Sequence, residues 1–358
     1  MVPGELMTCA KYLETDWAEE WRLEHIETNR TADRPLNCVV LCKMTDVSQI
    51  LEGGPLQIPL IVPHEWNPTE RTLRLDDYLT YLSTKDTIEY HDPLQDIVIE
   101  GKSPMPRADP APIVVQKLKN ATIHNPVNLL NLNRFKQNAV PAGLADVHRL
   151  HILDHIWEIG DSGKRMIEEP RDLSSCTGFQ ILGSAGAYSS WHWDHVGAIT
   201  TITSETGEKL WPSLPRLTDA ELEKFQEDWS IPDDKPPIAI FLREGDTMIQ
   251  PRCRLHAPYT ISLALMTGTM HWDPMELNEV LKNSLYELRH DITNEDPPKE
   301  MRAKLQVILD MIQSNRGGKL YKWKGGNSRD ELQELAQHRL ATADGRTAMK
   351  HVDVVKQG

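Results

Sequence analysis

The stretch Tyr188-Ser-Ser-Trp-His-Trp-Asp-His-Val-Gly197 lies in a block of sequence that has the pattern of short β-strands. From Gly178 onward, short runs rich in β-branched and aromatic residues are separated by Gly and Ser, which is typical of hairpins and sandwiches. We predict strands over residues 179–182, 188–194, 198–203, 209–212, 238–242, 247–250, 255–260 and 262–268. About eight short strands within about ninety residues favour a jelly roll over a parallel sheet.

His192 and Asp194 are candidate metal ligands within this stretch. Side chains two positions apart on a strand point to the same face, because strand side chains alternate. Together with one more histidine, such a pair forms the 2-His-1-carboxylate triad of non-haem Fe(II) oxygenases.

The His-x-acid pattern has little weight by itself. With 14 His and 53 acidic residues in the chain, chance gives about two matches. The chain contains four, which begin at His25, His192, His271 and His351. His25 follows a helix-like run, His351 lies in a polar tail expected to fray, and Asp273 is better explained as a helix N-cap. The context therefore selects His192, which has predicted strands on both sides.

Helical patterns flank and interrupt the predicted strands. Apolar residues at helical spacing predict helices over residues 72–83 and 145–159, with strands over 87–90 and 96–100 between them. Four prolines within 102–112 predict a loop. Thr218 and Glu221 form a predicted capping box that begins a helix ending near Trp229.

The C-terminal part of the chain is predicted to be helical. Apolar stripes recur at helical spacing in the sets Leu277, Val280, Leu281, Leu285 and Leu288, and Met301, Leu305, Ile308, Leu309 and Ile312. Such stripes usually pack on their own domain, and a homodimer contact through these helices is the alternative.

Composition limits the class of function. The chain has 358 residues and a formal net charge of −14, which argues against a general nucleic-acid binder, because such proteins present basic surfaces. No apolar run approaches the roughly 18 residues of a membrane span, and the N-terminus lacks a signal-peptide pattern. The five cysteines are scattered, which predicts an intracellular location in the nucleus or cytoplasm. We therefore expect no membrane association and no direct nucleic-acid binding.

Residues 179–215 resemble the central part of a Jumonji C (JmjC) domain, through Gly183, Ser189, His192, Asp194, Gly197, Gly207, Lys209 and Trp211. The segment Phe241-Leu-Arg-Glu-Gly-Asp-Thr-Met-Ile-Gln-Pro-Arg-Cys-Arg-Leu-His256 is similar to the family's Gly-Asp, Pro, then His segment, which supplies the last metal ligand. The resemblance is specific over about residues 178–272, and the amino-acid sequence as a whole is similar to stand-alone JmjC proteins of fungi. One departure is the turn over 251–255, where the family usually has a glycine.

The resemblance implies a mainly β fold with helices (α+β). Its core would be a double-stranded β-helix, which is a cupin-like jelly roll. Together with the predicted elements, it divides the chain into an N-terminal mixed α/β elaboration (1–140), a JmjC catalytic core (141–275), a C-terminal helical region (276–345) and a tail expected to be disordered (346–358).

The resemblance also implies a site. Matched position by position, His192, Asp194 and His256 are the Fe(II) ligands, and Lys209 binds the distal carboxylate of 2-oxoglutarate. Ser189 matches a position that often offers a hydroxyl to that carboxylate, and the candidates on the next strand are Thr201 and Thr203. A physical reason supports a lysine there, because a buried carboxylate is costly unless it is paired.

Other conspicuous side chains near the site are predicted to have structural roles. We expect three tryptophans to be packing residues, namely Trp191, Trp193 and Trp211. Arg252 and Arg254 are expected to be exposed loop residues with no specific role.

The function that the resemblance implies is oxygenation with Fe(II) as cofactor and 2-oxoglutarate and O₂ as co-substrates. The reaction would be hydroxylation, or demethylation through hydroxylation of an N-methyl group. A polypeptide substrate is expected, with histones among the candidates, and a small molecule is the alternative. Two other classes stay open: a catalytically silent JmjC scaffold associated with chromatin or protein partners, and a cupin that binds another metal. The intact metal ligands and Lys209 argue against the silent scaffold.

Overall fold

A seven-stranded sheet, a three-stranded sheet, a two-stranded sheet and a set of helices make up the part of the chain that can be described. The computed structural model describes residues 39–66, 73–92, 106–133, 135, 140–147, 150, 178–194 and 197–289. In chain order the strands are β1 (Val40–Leu41), β2 (Leu60–Val62), β3 (Thr87–Tyr90), β4 (Arg107–Pro110), β5 (Asn128–Asn133), β6 (Phe179–Gly183), β7 (Ile199–Thr206), β8 (Lys209–Ser213), β9 (Ile238–Leu242), β10 (Thr247–Gln250), β11 (Tyr259–Thr260) and β12 (Ala264–His271). The helices are α1 (Met44–Glu52), α2 (Leu75–Leu82), α3 (Ala111–Asn120), α4 (Ala142–Ala145), α5 (Asp219–Asp228) and α6 (Leu277–Arg289).

A seven-stranded mixed sheet is the largest element, with the strand order β1-β2-β10-β7-β12-β6-β5. β1 and β2 pair in parallel, whereas β7 pairs antiparallel with both β10 and β12. A second, antiparallel sheet has the order β11-β8-β9, and β3 pairs with β4. The described fold is therefore mixed α/β, built on one large sheet and a smaller one.

The two faces of the large sheet have different neighbours. Because strand side chains alternate, Leu182 and Ile249 point to one face, where they join apolar clusters with side chains of α1, α2, α3 and α4. Ile181 and Met270 point to the other face and line a cavity together with residues of β8. The cavity therefore lies between the large sheet and the small sheet.

Several elements predicted from the sequence are confirmed. The helix predicted over 72–83 is observed as α2, with its apolar stripe buried. Thr218 caps α5 through a complete capping box, in which its hydroxyl accepts a hydrogen bond from the Glu221 backbone N–H and the Glu221 carboxylate accepts one from the Thr218 backbone N–H. The strands predicted over 238–242 and 247–250 are observed as β9 and β10 at the same residues.

Two predicted strands are largely replaced by single bridges. Over 188–194, Tyr188 and His192 form isolated bridges with Tyr259 and His256, and there is no continuous ladder. The strand predicted over 255–260 is regular at Tyr259–Thr260 alone. Pro258 contributes to this interruption, because proline has no N–H to donate to a ladder. The candidate ligands at 192, 194 and 256 therefore lie on irregular, extended backbone.

The loop predicted over 102–112 is wrong from residue 107 onward. Residues 107–110 form β4, and α3 begins at Ala111. Pro110 is the N-cap of α3 and Pro112 lies in its first turn. The first N–H groups of a helix have no partner inside it, so proline loses no helical hydrogen bond there. These prolines mark the start of a helix.

The region before residue 140 and the predicted core share one sheet, since β2 pairs with β10 and β5 pairs with β6. α6 begins the predicted C-terminal helical region, and its apolar stripe at Leu277, Val280 and Leu281 is buried within this chain. The strand predicted over 96–100, most of the helix over 145–159, the later helices and the tail over 346–358 fall outside the described residues. Among the helices of the described ranges, none is both long and apolar enough to cross a membrane.

Candidate metal centre

His192, Asp194 and His256 converge at one point of the cavity. One possible ligand atom from each side chain lies within 4.8 Å of the other two. His256 Nε2 lies 3.6 Å from Asp194 Oδ1, which is too long for a hydrogen bond. Two ligand atoms bonded to one ion at about 2.1 Å lie about 3.0 Å apart at right angles and about 3.4 Å apart at the tetrahedral angle, and the observed distance is slightly longer than both. The structure thus brings together the three residues predicted as ligands.

Backbone pairing sets the spacing of the two histidines. The His192 N–H donates to the His256 carbonyl at 3.0 Å, and the His256 N–H donates to the His192 carbonyl at 2.8 Å. Residues directly opposite each other in an antiparallel pair place their side chains side by side, and the two imidazole centroids are 4.3 Å apart. A single bridge therefore sets the spacing of the two imidazoles.

The Nδ1 atom of each histidine faces a backbone carbonyl. His192 Nδ1 lies 2.6 Å from the Ser190 oxygen, and His256 Nδ1 lies 2.8 Å from the Arg254 oxygen. Since a carbonyl oxygen can only accept, we assign the ring hydrogen to Nδ1 in both residues. The lone pair of each neutral ring is then on Nε2. Metal-binding histidines typically have this arrangement, with the second ring nitrogen donating to a carbonyl.

The donor set fits a cation. Two imidazole lone pairs and one carboxylate oxygen converge, and the ring hydrogens are directed away toward carbonyl groups. Acceptors brought together in a buried site need positive charge between them. Imidazole and carboxylate ligands are suitable for several divalent metals, and the facial set of two histidines and one carboxylate is the arrangement known for non-haem Fe(II). The cluster could therefore bind a metal ion.

Lys209 is a buried cation on the wall of the same cavity. Its side chain is 4% exposed and lines the cavity together with the three candidate ligands. Gly207 makes the turn into β8 with a φ of +74°, and a Cβ there would lie 2.2 Å from the Leu263 oxygen, so glycine is required. Burial lowers the pKa of Lys209 to about 8. Within the described part of the chain, no acceptor is hydrogen-bonded to its ammonium group.

We expect Lys209→Met to stabilise the metal-free and ligand-free protein at neutral pH, because methionine has no charge to bury. Between pH 8 and the ordinary lysine pKa of 10.5, the unfolded wild type holds a proton that the folded state lacks, so wild-type stability rises with pH. The substitution therefore increases the free energy of unfolding most below pH 8, by about 3 kcal/mol, and this increase becomes smaller toward pH 10.5. Urea unfolding at several pH values measures the increase. Lys282→Met, at an exposed lysine, is the control, and a gain independent of pH would contradict the buried charge.

Ser189 lies on the cavity wall, whereas the structure does not bring Thr201 and Thr203 there. Both threonines alternate along β7 with Ile202, which faces the cavity, so they point to the opposite face of the sheet. Each is hydrogen-bonded to another threonine of the sheet. A shift of one residue in the alignment moves a strand side chain to the other face of the sheet. The resemblance along β7 was too loose to fix the alignment to one residue.

Arg252 and Arg254 were predicted to be exposed, and they are buried. Arg252 forms an ion pair with Glu276 at 2.8 Å, and Arg254 Nε donates to the Ser213 hydroxyl at 2.7 Å. Cys253 between them has a φ of +52°, in the left-handed region that favours glycine. This is the turn in which the JmjC family usually has a glycine. The two buried arginines hold this turn directly before His256.

Trp211 contacts one candidate ligand, His256, beyond the packing role that was predicted. Its ring stacks on His256 with centroids 5.1 Å apart and an interplanar angle of 16°. Its Nε1 donates to Oε1 of Gln250 at 2.9 Å. Gln250 contacts Asp194 and was missed from the sequence. The available signal was a polar residue at the end of β10, shortly before His256. Trp191 and Trp193 belong to an apolar cluster, as predicted.

The chain is similar to a protein whose name refers to biosynthesis. It is 28% identical over 199 residues to KK-1 biosynthesis cluster protein D of Curvularia clavata. The aligned part covers 54% of this chain and 19% of that protein, so the match spans about one fifth of the relative's length. No protein-family model matches the chain.

Proposed function

We propose that this chain is a JmjC-type oxygenase, dependent on Fe(II) and 2-oxoglutarate, that hydroxylates its substrate or removes an N-methyl group by hydroxylating it. The proposal includes a double-stranded β-helix as the core, with the large and small sheets as its two walls. One observation carries the proposal: three side chains that could hold a metal ion and a buried lysine line the same cavity, and that lysine has no acceptor among the described residues.

The ligands would hold iron from one side. Three protein ligands on one face leave adjacent coordination positions for other molecules, as in the non-haem Fe(II) oxygenases. When bound, iron supplies the oxidising chemistry, in which 2-oxoglutarate and O₂ are converted to succinate and CO₂ while the substrate receives an oxygen atom. His192 and His256 keep their ring hydrogens on Nδ1 through the Ser190 and Arg254 carbonyls, which keeps Nε2 available as a ligand.

In this proposal Lys209 is the cation that pairs with an acidic co-substrate. 2-Oxoglutarate has two carboxylates, and burying the one farther from the metal is costly without a cation. Lys209 would pair with it, and the Ser189 hydroxyl on the same wall would donate to it. The paired anion would in turn favour the charged lysine and oppose the burial effect that lowers the pKa of Lys209.

The rest of the cavity wall is largely apolar. Five apolar side chains come from strands of the large sheet, namely Leu130, Phe179, Ile181, Ile202 and Met270, and Pro258 lines the cavity as well. An apolar wall limits the access of bulk water to the metal and to the oxidising reaction, which protects the reaction from side products.

The substrate class follows from the family resemblance and stays a proposal. A polypeptide, with histones among the candidates, is the expected class of substrate. A small molecule that the protein would oxygenate is the alternative. The Curvularia protein's name refers to a biosynthesis cluster, which supports including small molecules in any substrate panel.

Succinate production tests the proposed function. Protein reconstituted anaerobically with Fe(II) and 2-oxoglutarate is exposed to O₂, with and without a panel of peptides and small molecules. We expect succinate that requires all three components and is absent from the His256→Ala protein. A silent scaffold or a cupin for another metal would give none. Absence of succinate under every condition, from protein that is folded and loaded with iron, would overturn the oxygenase proposal.

A further inference from the structure

Gln250 is a buried side chain that contacts the candidate metal centre without being a ligand. It is the last residue of β10, and its side chain is 1% exposed. Its amide lies against three groups of the site: Trp211 Nε1 at 2.9 Å, Asp194 Oδ2 at 3.1 Å and His256 Nδ1 at 3.0 Å. A buried amide held between two ligands can influence their orientation.

Trp211 fixes which end of this amide faces the carboxylate. An indole N–H can only donate, so the amide atom that it contacts must be the oxygen of Gln250. The amide nitrogen is then on the side of Asp194. The indole N–H thus fixes the orientation of the Gln250 amide.

The hydrogen of the Gln250 amide goes to Asp194. His256 Nδ1 already donates to the Arg254 carbonyl at 2.8 Å, so it has no lone pair for a second donor. Asp194 Oδ2 is an acceptor at 3.1 Å and takes the amide hydrogen. The other oxygen, Oδ1, is the one that lies 3.6 Å from His256 Nε2. Of the two carboxylate oxygens, Oδ2 thus accepts the hydrogen bond from Gln250, and Oδ1 is left as the candidate metal ligand.

We propose that Gln250 is a positioning residue, which occupies Oδ2 of Asp194 so that Asp194 binds the metal through Oδ1 alone. Trp211 acts behind it by holding the amide in the required orientation. This inference deepens the proposed function and rests on its metal site. Groups behind metal ligands commonly control ligand orientation and metal affinity, and a carboxylate without such a restraint can bind through both oxygens.

Gln250→Met tests the proposal, because methionine keeps the length of the side chain and removes both hydrogen bonds. Co(II) is the probe, since its visible d–d spectrum reports coordination geometry. We expect the Kd for Co(II) to rise about 10- to 100-fold. We also expect the spectrum at saturating Co(II) to change, as Asp194 gains a second metal–oxygen contact. Trp211→Phe, which keeps an aromatic ring but loses the indole N–H, is expected to raise the Kd for Co(II) and to change the spectrum as well.

Gln180→Met is the matched control. Gln180 is also a buried glutamine of the large sheet, on β6, and it alternates with the cavity-lining residues Phe179 and Ile181, so it points to the opposite face. The control is expected to keep the wild-type Kd and spectrum. If Gln250→Met lowers the melting temperature of the metal-free protein and leaves the saturated spectrum unchanged, the role is structural and the inference is overturned. If the wild type itself binds no Co(II), the proposed metal site fails together with the inference.

Discussion

Alanine at His192 is expected to abolish iron binding, with an affinity loss of more than about 100-fold. Residues that only support metal ligands typically change affinity by about 10- to 100-fold, and His192 would supply one of the three ligand atoms themselves. Metal analysis after anaerobic reconstitution measures the effect. We expect about one Fe(II) per chain in the wild type and almost none in the variant.

His271→Ala is the matched control for this prediction. His271 belongs to the same His-x-Asp pattern and is also buried, but it lies at the end of β12, where its Nε2 is 2.8 Å from the Thr269 hydroxyl. We expect this variant to keep its iron. Thermal unfolding of the metal-free proteins shows whether each variant is folded. If folded His192→Ala protein retained the metal, the ligand assignment would be wrong.

Lys209→Met is expected to weaken 2-oxoglutarate binding by about 100-fold or more while Fe(II) binding is retained. Removing one partner of a buried ion pair typically costs about 3–5 kcal/mol, and 3 kcal/mol corresponds to about 150-fold in Kd. Anaerobic calorimetric titration of the iron-loaded protein with 2-oxoglutarate measures the change.

The control for the lysine prediction is Lys282→Met, because Lys282 is exposed on α6 and pairs with Glu279 on the same helix. Its Kd for 2-oxoglutarate should equal that of the wild type. Loss of 2-oxoglutarate binding together with iron in Lys209→Met would indicate a damaged fold. An unaltered Kd for 2-oxoglutarate in Lys209→Met would show that Lys209 does not bind the co-substrate.

The three candidate ligands could be predicted because the pattern around them is short and local. His192 and Asp194 are neighbours in sequence, and the resemblance supplied His256 at the end of a recognisable segment. The physical reason for their convergence was different from the one expected. A single backbone bridge between His192 and His256, rather than two regular strands, sets the spacing of the imidazoles.

Residues whose roles depend on cross-strand neighbours were not predictable in the same way. The inward or outward direction of Thr201 depends on a one-residue register in β7, and the contact between Gln250 and Trp211 joins β10 of one sheet to β8 of the other. The burial of Arg252 depends on Glu276, which lies beyond β12 in the chain. Because the periodicity of apolar residues describes one helix or strand at a time, it does not predict contacts between different elements.

The extent of the large sheet was missed for the same reason. β2 is three residues long, which is too short for a reliable alternation signal. β10, the partner of β2, lies far along the chain, so this pairing is non-local. The compact strands β9 and β10, by contrast, were predicted with their observed bounds, because each is flanked by clear turn residues.

A crystal structure of the protein with Mn(II) in place of Fe(II), and with 2-oxoglutarate, would show both the metal ligands and the partner of the co-substrate. We expect one metal ion bound by His192 Nε2, Asp194 Oδ1 and His256 Nε2, with 2-oxoglutarate on the same ion and its distal carboxylate paired with Lys209 Nζ. A metal held by other residues, or 2-oxoglutarate bound away from Lys209, would contradict this expectation.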